Sequence, residues 1–203
     1  TLDLGLLRYA LSYNPDPAPE PIPLWLPPGG LPFLRTWGSA FADAGKEAEF
    51  FTRDFDAAEY DPSGNVTIGD VTITFTRTVH YRPCWAMRLA IPGYHDLFYT
   101  ADTGPAAHLQ DAAAACATVI VESGTLTGEG ETWEERGHLA PEEAGQLATD
   151  AGAGTMILTH LWEEHGFDEY RRRAESTFSG ILEIARPGLT VELPVKVEPG
   201  AAT

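Results

Sequence analysis

The sequence predicts an α/β layered sandwich. Three observations indicate this class: β-branched runs separated by glycine and proline turns, alternating strand and helix patterns after residue 105, and an apolar content of 43% with 10% aromatic residues. Strands followed by alternating helix and strand units are typical of a sheet covered by helices. A length of 203 residues favours one domain spanning 1–203.

The first part of the chain predicts helices and an irregular stretch. Leucine-rich residues 2–11 predict a short, mostly buried helix. Seven prolines lie within 14–28, which excludes a helix or a central strand there. Residues 22–26 inside this stretch predict an edge strand, and residues 31–60 predict one or two short helices with loops.

The rest of the chain predicts strands first and an alternation afterwards. Residues 66–68 and 71–78 are rich in β-branched side chains and predict a hairpin around Gly69 and Asp70. A second strand pair is expected at 85–91 and 97–100. The alternation that follows predicts helices at 106–115, 141–151 and 168–178, and strands at 118–121, 155–159, 181–185 and 190–193.

The charge balance argues against a long nucleic acid as partner. The formal net charge is −17, and such a surface repels phosphate backbones. The densest basic run is Arg171, Arg172 and Arg173. Consecutive residues of a helix point in different directions, so we interpret this run as a solvated face.

The cysteines and the length of the apolar runs also predict where in the cell the protein resides. Cys84 and Cys116 form neither a CxxC pair nor a disulfide framework, which favours a reducing, cytoplasmic location. No apolar run reaches the ~18 residues that a membrane span needs. We therefore expect no membrane partner.

Three polar residues share one arrangement, each just past the carboxyl end of a predicted strand: His80, Asp102 and His160. Ligands collect at that edge of α/β sheets. Imidazole and carboxylate suit zinc or manganese, and a shared carboxylate can bridge two ions. Each residue alone also fits an ordinary hydrogen-bonded loop residue, so spacing leaves both interpretations open.

Five segments form an ordered series: HYRPCWAMRL at 80–89, YTADTG at 99–104, VESGT at 121–125, GHLAPEEA at 137–144 and ILTH at 157–160. The intervals between His80, Asp102, His138 and His160 are 22, 36 and 22 residues. This series resembles the ribonuclease Z-like and cyclic-nucleotide phosphodiesterase-like branch of the metallo-β-lactamase superfamily. The resemblance implies the C-terminal part of a four-layer αββα sandwich.

The start of the chain carries the same resemblance. Residues 1–8 are similar to the helix that follows the family's His-x-His-x-Asp-His hallmark, and residues 23–29 to its Pro-Leu-x-Val-Tyr-Gly-Pro turn. No histidine precedes His80, so the hallmark is absent. We expect an N-terminally incomplete domain, which alone would bind metal poorly, be inactive and expose an apolar sheet edge or face. The alternative is a degenerate family member that starts here.

The resemblance also implies roles. Two divalent metal ions, zinc or else manganese, would share a hydroxide at a separation of about 3.5–4 Å. His80 would complete the shell of one ion and His160 that of the other, with Asp102 bridging them. His138 would donate a proton to the leaving oxygen, oriented or tuned by Glu122. The alternatives are a polar residue at a helix N-terminus for His138 and a solvated loop carboxylate for Glu122.

Some positions depart from the family pattern. Ala140 stands where Ser or Thr is usual, Thr100 and Ala101 replace Ser-Gly, and Ser123 and Gly124 replace Ala-Thr. None of these changes removes a residue that the resemblance implies as a metal ligand. They do mean that these motifs alone do not assign a substrate by analogy with relatives.

Neighbouring residues are secondary candidates. Tyr81 and Arg82 are expected to shape the pocket, whereas Trp85 is expected in the core. His108 opens a predicted helix close to Asp102 and is a candidate neighbour of that carboxylate.

Only 21 residues separate His80 from Asp102, which leaves no room for the long arm that enzymes processing transfer RNA 3′ ends carry there. We therefore expect a small phosphodiester substrate, such as a cyclic nucleotide. A tRNA 3′-processing endonuclease, a lactone or ester hydrolase, and a non-catalytic metal-binding or dimerisation module remain alternatives. A homodimer is likewise left open.

Overall fold

The computed structural model describes residues 2–16, 20–47, 49–132 and 135–196. The chain divides into two compact units, Thr1–Asp61 and Pro62–Thr203. The catalytic candidates named above all belong to the second unit.

The first unit is a small α/β assembly. Its elements are α1 (Leu2–Ser12), β1 (Ile22–Leu26), α2 (Gly30–Ser39), α3 (Glu49–Thr52) and β2 (Phe55–Glu59). The two strands pair in parallel, so β1 is an edge strand as its proline predicts. The core of this unit is aromatic and aliphatic, with Leu34, Phe50, Phe51 and Phe55 buried.

Strand β2 was not expected from the sequence. Its residues are Phe-Asp-Ala-Ala-Glu, and aspartate, alanine and glutamate are depleted in strands. Phe55 is buried and pairs with Ile22 more than thirty residues away. The strand therefore depends on a long-range partner, which local propensity does not reveal.

The second unit contains a seven-stranded sheet with three helices. Its elements are β3 (Asn65–Ile68), β4 (Val71–Arg77), β5 (Trp85–Ala90), β6 (Leu97–Tyr99), α4 (Ala107–Ala113), β7 (Thr118–Glu122), α5 (Pro141–Asp150), β8 (Thr155–Thr159), a 3₁₀ turn (Glu163–His165), α6 (Phe167–Ala174) and β9 (Ile181–Ile184). The strands lie side by side in sequence order. This confirms the predicted α/β class.

The direction of the strands places the candidate residues together. Neighbours from β3 to β6 are antiparallel and neighbours from β6 to β9 are parallel. Two antiparallel steps separate β4 from β6, so β4 runs in the same direction as β6, β7 and β8. The carboxyl ends of these four strands therefore meet at one edge of the sheet.

Helices α4, α5 and α6 supply side chains to the main core of this unit. Alternate residues of the parallel strands, Val119 and Val121 in β7 and Met156 and Leu158 in β8, belong to this buried cluster. Tyr170 of α6 is also fully buried in it. The packed helix layer holds the parallel strands, and with them the loops at their carboxyl ends.

The strand predicted at 190–193 was wrong. Leu189, Val191 and Leu193 instead line a cavity of about 400 Å³ together with Ile120 and Ile157. Those isoleucines alternate with the strand residues of the helix-side core, so the segment covers part of the opposite sheet face. Its apolar alternation reflects this covering position, and its end is joined to the turn between β5 and β6 by an isolated bridge between Tyr94 and Val195.

The other boundaries agree with expectation to within a few residues, except that α6 ends at Ala174 rather than at residue 178. Within the described ranges, no helix is long and apolar enough to cross a membrane.

Candidate functional site

His80, Asp102 and His160 come together at the edge where the strands end. His80 lies beyond β4, Asp102 beyond β6 and His160 directly after β8. His160 Nδ1 lies 2.8 Å from Asp102 Oδ1, and His80 Nε2 lies 3.8 Å from Asp102 Oδ2. The aspartate is thus the meeting point of both imidazoles.

A backbone carbonyl fixes the orientation of His80. Its Nδ1 lies 3.0 Å from the carbonyl oxygen of Gly137. A carbonyl can only accept, so Nδ1 carries a proton in this bond and Nε2 is the nitrogen that faces Asp102. Metal-ligating histidines show this same arrangement, in which the second nitrogen donates to a carbonyl or carboxylate.

The Asp102 turn is held in an uncommon backbone conformation. Ala101 has φ 50° and His160 has φ 59°, both in the left-handed region that L-residues seldom adopt. The Thr78 hydroxyl donates to the carbonyl oxygen of Asp102 at 2.8 Å, which ties this turn to the end of β4. These two left-handed residues help to aim the carboxylate and the imidazole at each other.

Their hydrogen bond also sets the charges of the pair. The bond from His160 lowers the pKa of Asp102, and this outweighs the opposing effect of burial. The same bond raises the pKa of the His160 imidazole. The pair therefore favours an ionised carboxylate beside an imidazolium.

Glu122 is a buried carboxylate at the end of β7, with its side chain 1% exposed. Its oxygens accept hydrogen bonds from the backbone N–H groups of Thr103, Leu139 and Gly124. His138 Nδ1 is a fourth donor, at 3.1 Å. A buried carboxylate needs such compensation. Glu122 thus joins the loop after Asp102 to the loop that carries His138.

His138 lies between the other two histidines. Its ring centroid is 5.0 Å from that of His80 and 5.1 Å from that of His160. The hydrogen bond to Glu122 raises the pKa of the His138 imidazole, against the opposing effect of burial. Because Nδ1 is engaged by Glu122, Nε2 is the nitrogen left for proton transfer.

Three glycines make this packing possible, and the sequence did not mark them as functional. A Cβ on Gly124 would meet His138 Nδ1 at 2.6 Å, and one on Gly137 would meet the Tyr81 ring at the same distance. A Cβ on Gly104 would lie 1.7 Å from the carbonyl oxygen of Arg136. Gly124 stood out in the sequence as a departure from the family pattern, whereas Gly104 and Gly137 lie inside the family-like segments 99–104 and 137–144 without a local sign of this packing.

A buried ion pair anchors the loop that bears His138. Arg136 is 6% exposed and pairs with Glu143 in the first turn of α5. Glu143 also accepts a hydrogen bond from the N–H of Ala140 at 2.7 Å. Glu143 thus supplies the half of a capping box that closes on the N–H of residue 140, while the half that a Ser or Thr side chain at 140 would provide is not formed.

The side chains of His80, Asp102 and His160 are of types that bind divalent metals, although they do not surround a common point. Two imidazoles and one carboxylate are ligands of the kind that zinc binds. Within residues 2–16, 20–47, 49–132 and 135–196, no three His, Cys, Asp or Glu side chains form a closed ligand group. The convergence of both imidazoles on Asp102, with Nε2 of His80 directed toward the carboxylate, is the arrangement expected of a metal-binding edge.

The neighbouring residues singled out in the sequence lie in different places: one in the core, one outside the site and one beside it. Trp85 is buried, as expected, and the guanidinium of Arg77 stacks over its ring. His108 Nε2 lies 2.7 Å from the carbonyl oxygen of Arg77, which gives this exposed ring a partner other than Asp102. Tyr81 lies beside both His80 and His138.

The arginine run of α6 is engaged by acidic side chains. Arg171 lies 3.5 Å from Glu175, Arg172 2.6 Å from Glu169, and Arg173 2.6 Å from Glu142. Arg172 is exposed, as expected for a solvated face, whereas Arg171 and Arg173 are half-buried in their ion pairs.

Comparison with known proteins gives one family. Residues 2–161 match a family model described as the beta-lactamase superfamily domain. The chain is 35% identical over 133 residues to a probable metallo-hydrolase, YhfI, of Bacillus subtilis (strain 168), covering 66% of this chain and 53% of that protein. It is 34% identical over 128 residues to a ribonuclease Z of Myxococcus xanthus (strain DK1622), covering 62% of this chain and 41% of that protein.

A solved structure shows the same likeness in three dimensions. The crystal structure of the metallo-beta-lactamase fold protein YhfI from Bacillus subtilis superposes with a TM-score of 0.74 at 26% identity, covering 94% of this chain and 72% of that one. The chain spans about half or less of the length of the curated relatives it matches in sequence.

Proposed function

We propose that this chain, which belongs to the metallo-β-lactamase superfamily, carries catalytic residues of a metal-dependent hydrolase that cleaves small phosphodiesters. The observation that carries the proposal is the placement of His138. It is held by a buried carboxylate and packed between two histidines that converge on Asp102. An acid beside a metal-binding edge is what hydrolysis of a poor leaving group requires.

In this proposal His80, Asp102 and His160 would contribute to holding two divalent ions in the full-length gene product, with zinc favoured over manganese and Asp102 serving as the common carboxylate. When bound, such ions supply Lewis-acid activation of water and of the scissile group near neutral pH. The chain's own contribution is orientation. The Gly137 carbonyl keeps Nε2 of His80 directed toward Asp102, and the turn at Ala101 directs the carboxylate.

His138 acts as the general acid. Glu122 holds its Nδ1 and raises its pKa, which favours the form of the ring that carries a second proton, on Nε2. That proton passes to the leaving oxygen when the phosphorus–oxygen bond breaks. Correctly placed proton donors contribute roughly 10²–10⁴-fold to rate.

The preference for a small substrate is supported by the segment between His80 and Asp102. It contains only a short loop, β5, a turn and β6, which provide no arm for a folded RNA. The net charge of −17 and the ion-paired arginines of α6 also disfavour a long polyanion.

A second candidate is tRNA 3′-end processing. The 34% identity to the ribonuclease Z of Myxococcus xanthus favours it, and the ligand candidates would serve either diester. The two candidates differ in the size of the substrate rather than in the bond cleaved.

The test measures metal content and turnover in the full-length gene product. Bis-p-nitrophenyl phosphate, a precursor tRNA and a γ-lactone are the three substrates. We expect metal-dependent cleavage of the small diester, with little activity on the RNA or the lactone. Preferred cleavage of the precursor tRNA or the lactone would replace the proposal with that activity, and a metal-binding dimer without turnover would indicate a non-catalytic module.

Alanine substitutions test which histidines the diester cleavage depends on. His138→Ala and His160→Ala should each reduce turnover of the diester by roughly 10²-fold or more. His108→Ala is the matched control, because this exposed histidine bonds to the Arg77 carbonyl outside the site. Unchanged diesterase activity in His160→Ala would overturn the assigned mechanism.

A further inference from the structure

Two large aromatic side chains lie exposed around His138. Tyr81, in the loop after β4, is 53% exposed, and Trp162, in the loop after β8, is 56% exposed. The Tyr81 ring centroid lies 5.8 Å from that of His138. Trp162 Nε1 donates to the carbonyl oxygen of Gly124 at 3.0 Å, and Gly124 is the residue against which His138 packs. Tyr81 thus lies against the ring of the proposed acid, and Trp162, from a different loop, is tied to the glycine against which that ring packs.

The polar atom of each ring already donates a hydrogen bond to another group of the protein. The Tyr81 hydroxyl donates to the Glu131 carboxylate at 2.6 Å, and the ring lies over Gly137, where a Cβ would collide with it. The Trp162 N–H is held by Gly124. Hydrogen bonds therefore fix both side chains at their polar atoms and leave ring faces open to a ligand.

The chemistry of this rim favours a flat, uncharged group. Glu131 beside Tyr81 makes this edge of the rim acidic, which disfavours an anionic group against the tyrosine ring. A nucleobase is neutral and planar, and stacking of a base on an aromatic ring contributes about 1–3 kcal/mol. Tyr81 lies beside the residue that would protonate the leaving oxygen, and Trp162 is bonded to the glycine behind that residue, which is where the nucleoside part of a small diester would be.

We infer that Tyr81 and Trp162 form an aromatic platform that binds the nucleobase of the substrate and so determines its specificity. The inference rests on the proposed diesterase function, because it assigns the group attached to the phosphate. It makes the substrate class a small nucleotide diester rather than an alkyl or sugar diester.

Binding of two probes that share a phosphate tests the platform directly. Adenosine 5′-monophosphate and ribose 5-phosphate are titrated calorimetrically into the zinc-loaded full-length gene product. We expect the nucleotide to bind more tightly, and Trp162→Ala or Tyr81→Ala to weaken it by about 10-fold while leaving ribose 5-phosphate unchanged. Trp162→Phe and Tyr81→Phe, which keep a ring, should retain the nucleotide to within about 3-fold.

Tyr94→Ala is the matched control, since this exposed tyrosine lies in the turn between β5 and β6, at the opposite edge of the sheet. Circular dichroism establishes that each variant is folded. Nucleotide binding no tighter than ribose 5-phosphate, or an equal loss of both probes in the alanine variants, overturns the platform.

Turnover of bis-p-nitrophenyl phosphate is measured in the same preparations, because it reports on the proposed function alone. Base-dependent binding without diester turnover would support the platform and reject the diesterase. Diester turnover together with base discrimination that survives both alanine variants would reject the platform and retain the diesterase.

Discussion

At the scale of single residues, Glu122 connects the site. Its four hydrogen bonds tie together the loops that carry Asp102 and His138. Water molecules could donate as many hydrogen bonds to a carboxylate in solution. Here all four donors are protein groups that belong to the candidate site. Replacing it therefore changes the proton affinity of His138 as well as the local packing.

Glu122→Gln should lower the pKa of His138 toward its ordinary value, since the amide no longer offers a negative acceptor to Nδ1. The measurement is a pH titration of the His138 ring resonances by NMR. Glu131→Gln is the control, because Glu131 bonds to Tyr81 rather than to His138. A pKa that stays raised in Glu122→Gln would show that another group holds the proton.

The same pair has a predictable effect on stability. The pKa of His138 is raised in the folded state, so its contribution is fully present below the unfolded pKa and is lost as pH rises through the folded pKa. Glu122→Gln should remove that part of the pH dependence of unfolding.

Gly124→Ala should displace the His138 ring, because the new Cβ would meet Nδ1 at 2.6 Å. A displacement of about 1 Å can reduce catalysis by ~10²-fold. The kcat for bis-p-nitrophenyl phosphate in the full-length gene product measures this effect. Gly154→Ala is the matched control, since its nearest neighbour would be 3.8 Å away. Equal effects from both substitutions would contradict the steric explanation.

At the scale of elements, the loops after the strands are specified by backbone conformations rather than by long side chains. Ala101, Ala115 and His160 are the non-glycine residues with positive φ in the described part of the chain. Ala101 and His160 flank the Asp102 carboxylate, whereas Ala115 follows the C-terminus of α4. The first two conformations place functional groups, and the third terminates a helix.

Ala115→Gly should stabilise the protein by about 0.5 kcal/mol. Ala115 is exposed with φ 60°, a conformation that costs an alanine ~1–2 kcal/mol, while glycine adds ~0.4–1 kcal/mol of unfolded-state entropy. Urea unfolding measures the difference. Ala114→Gly is the neighbouring exposed control at φ −52°, where glycine should destabilise by about 0.5–1 kcal/mol. A loss of stability at both positions would contradict the helix-end argument.

At the scale of the whole molecule, the sheet collects donors from strands that are far apart in sequence. His80 and His160 are 80 residues apart, yet both approach Asp102 because β4, β6 and β8 run in the same direction. The donors at this edge within the described residues are few, and Asp102 is shared between two imidazoles. The metal affinity that we propose therefore depends on donors that the fold brings together from three strand ends.

The 203-residue chain should bind zinc weakly, with a stoichiometry of at most one ion and a Kd on the order of 1 µM or weaker. Isothermal titration with zinc measures both values. Asp102→Asn should weaken binding further, whereas Asp96→Asn should not, because Asp96 pairs with Arg88 and Lys196 at the opposite edge. Tight stoichiometric binding of two zinc ions by this chain would overturn the expectation.

The sequence by itself determined the order of most elements, because period-two runs and turn residues are local signals. It also determined which side chains follow the strands, and their order matched a family. It did not reveal β2, or that Leu189, Val191 and Leu193 cover a sheet face, since both depend on partners distant in the chain.

Only the tertiary structure decided how the site residues are held. The bond from His80 to the Gly137 carbonyl, the burial of Glu122 beneath His138, and the approach of Trp162 to Gly124 all join separate loops. Residue spacing gives the distance along the chain, whereas proton affinity and orientation depend on which groups meet when water is excluded. For that reason the sequence could name the histidines, and only the fold could show how His138 is held.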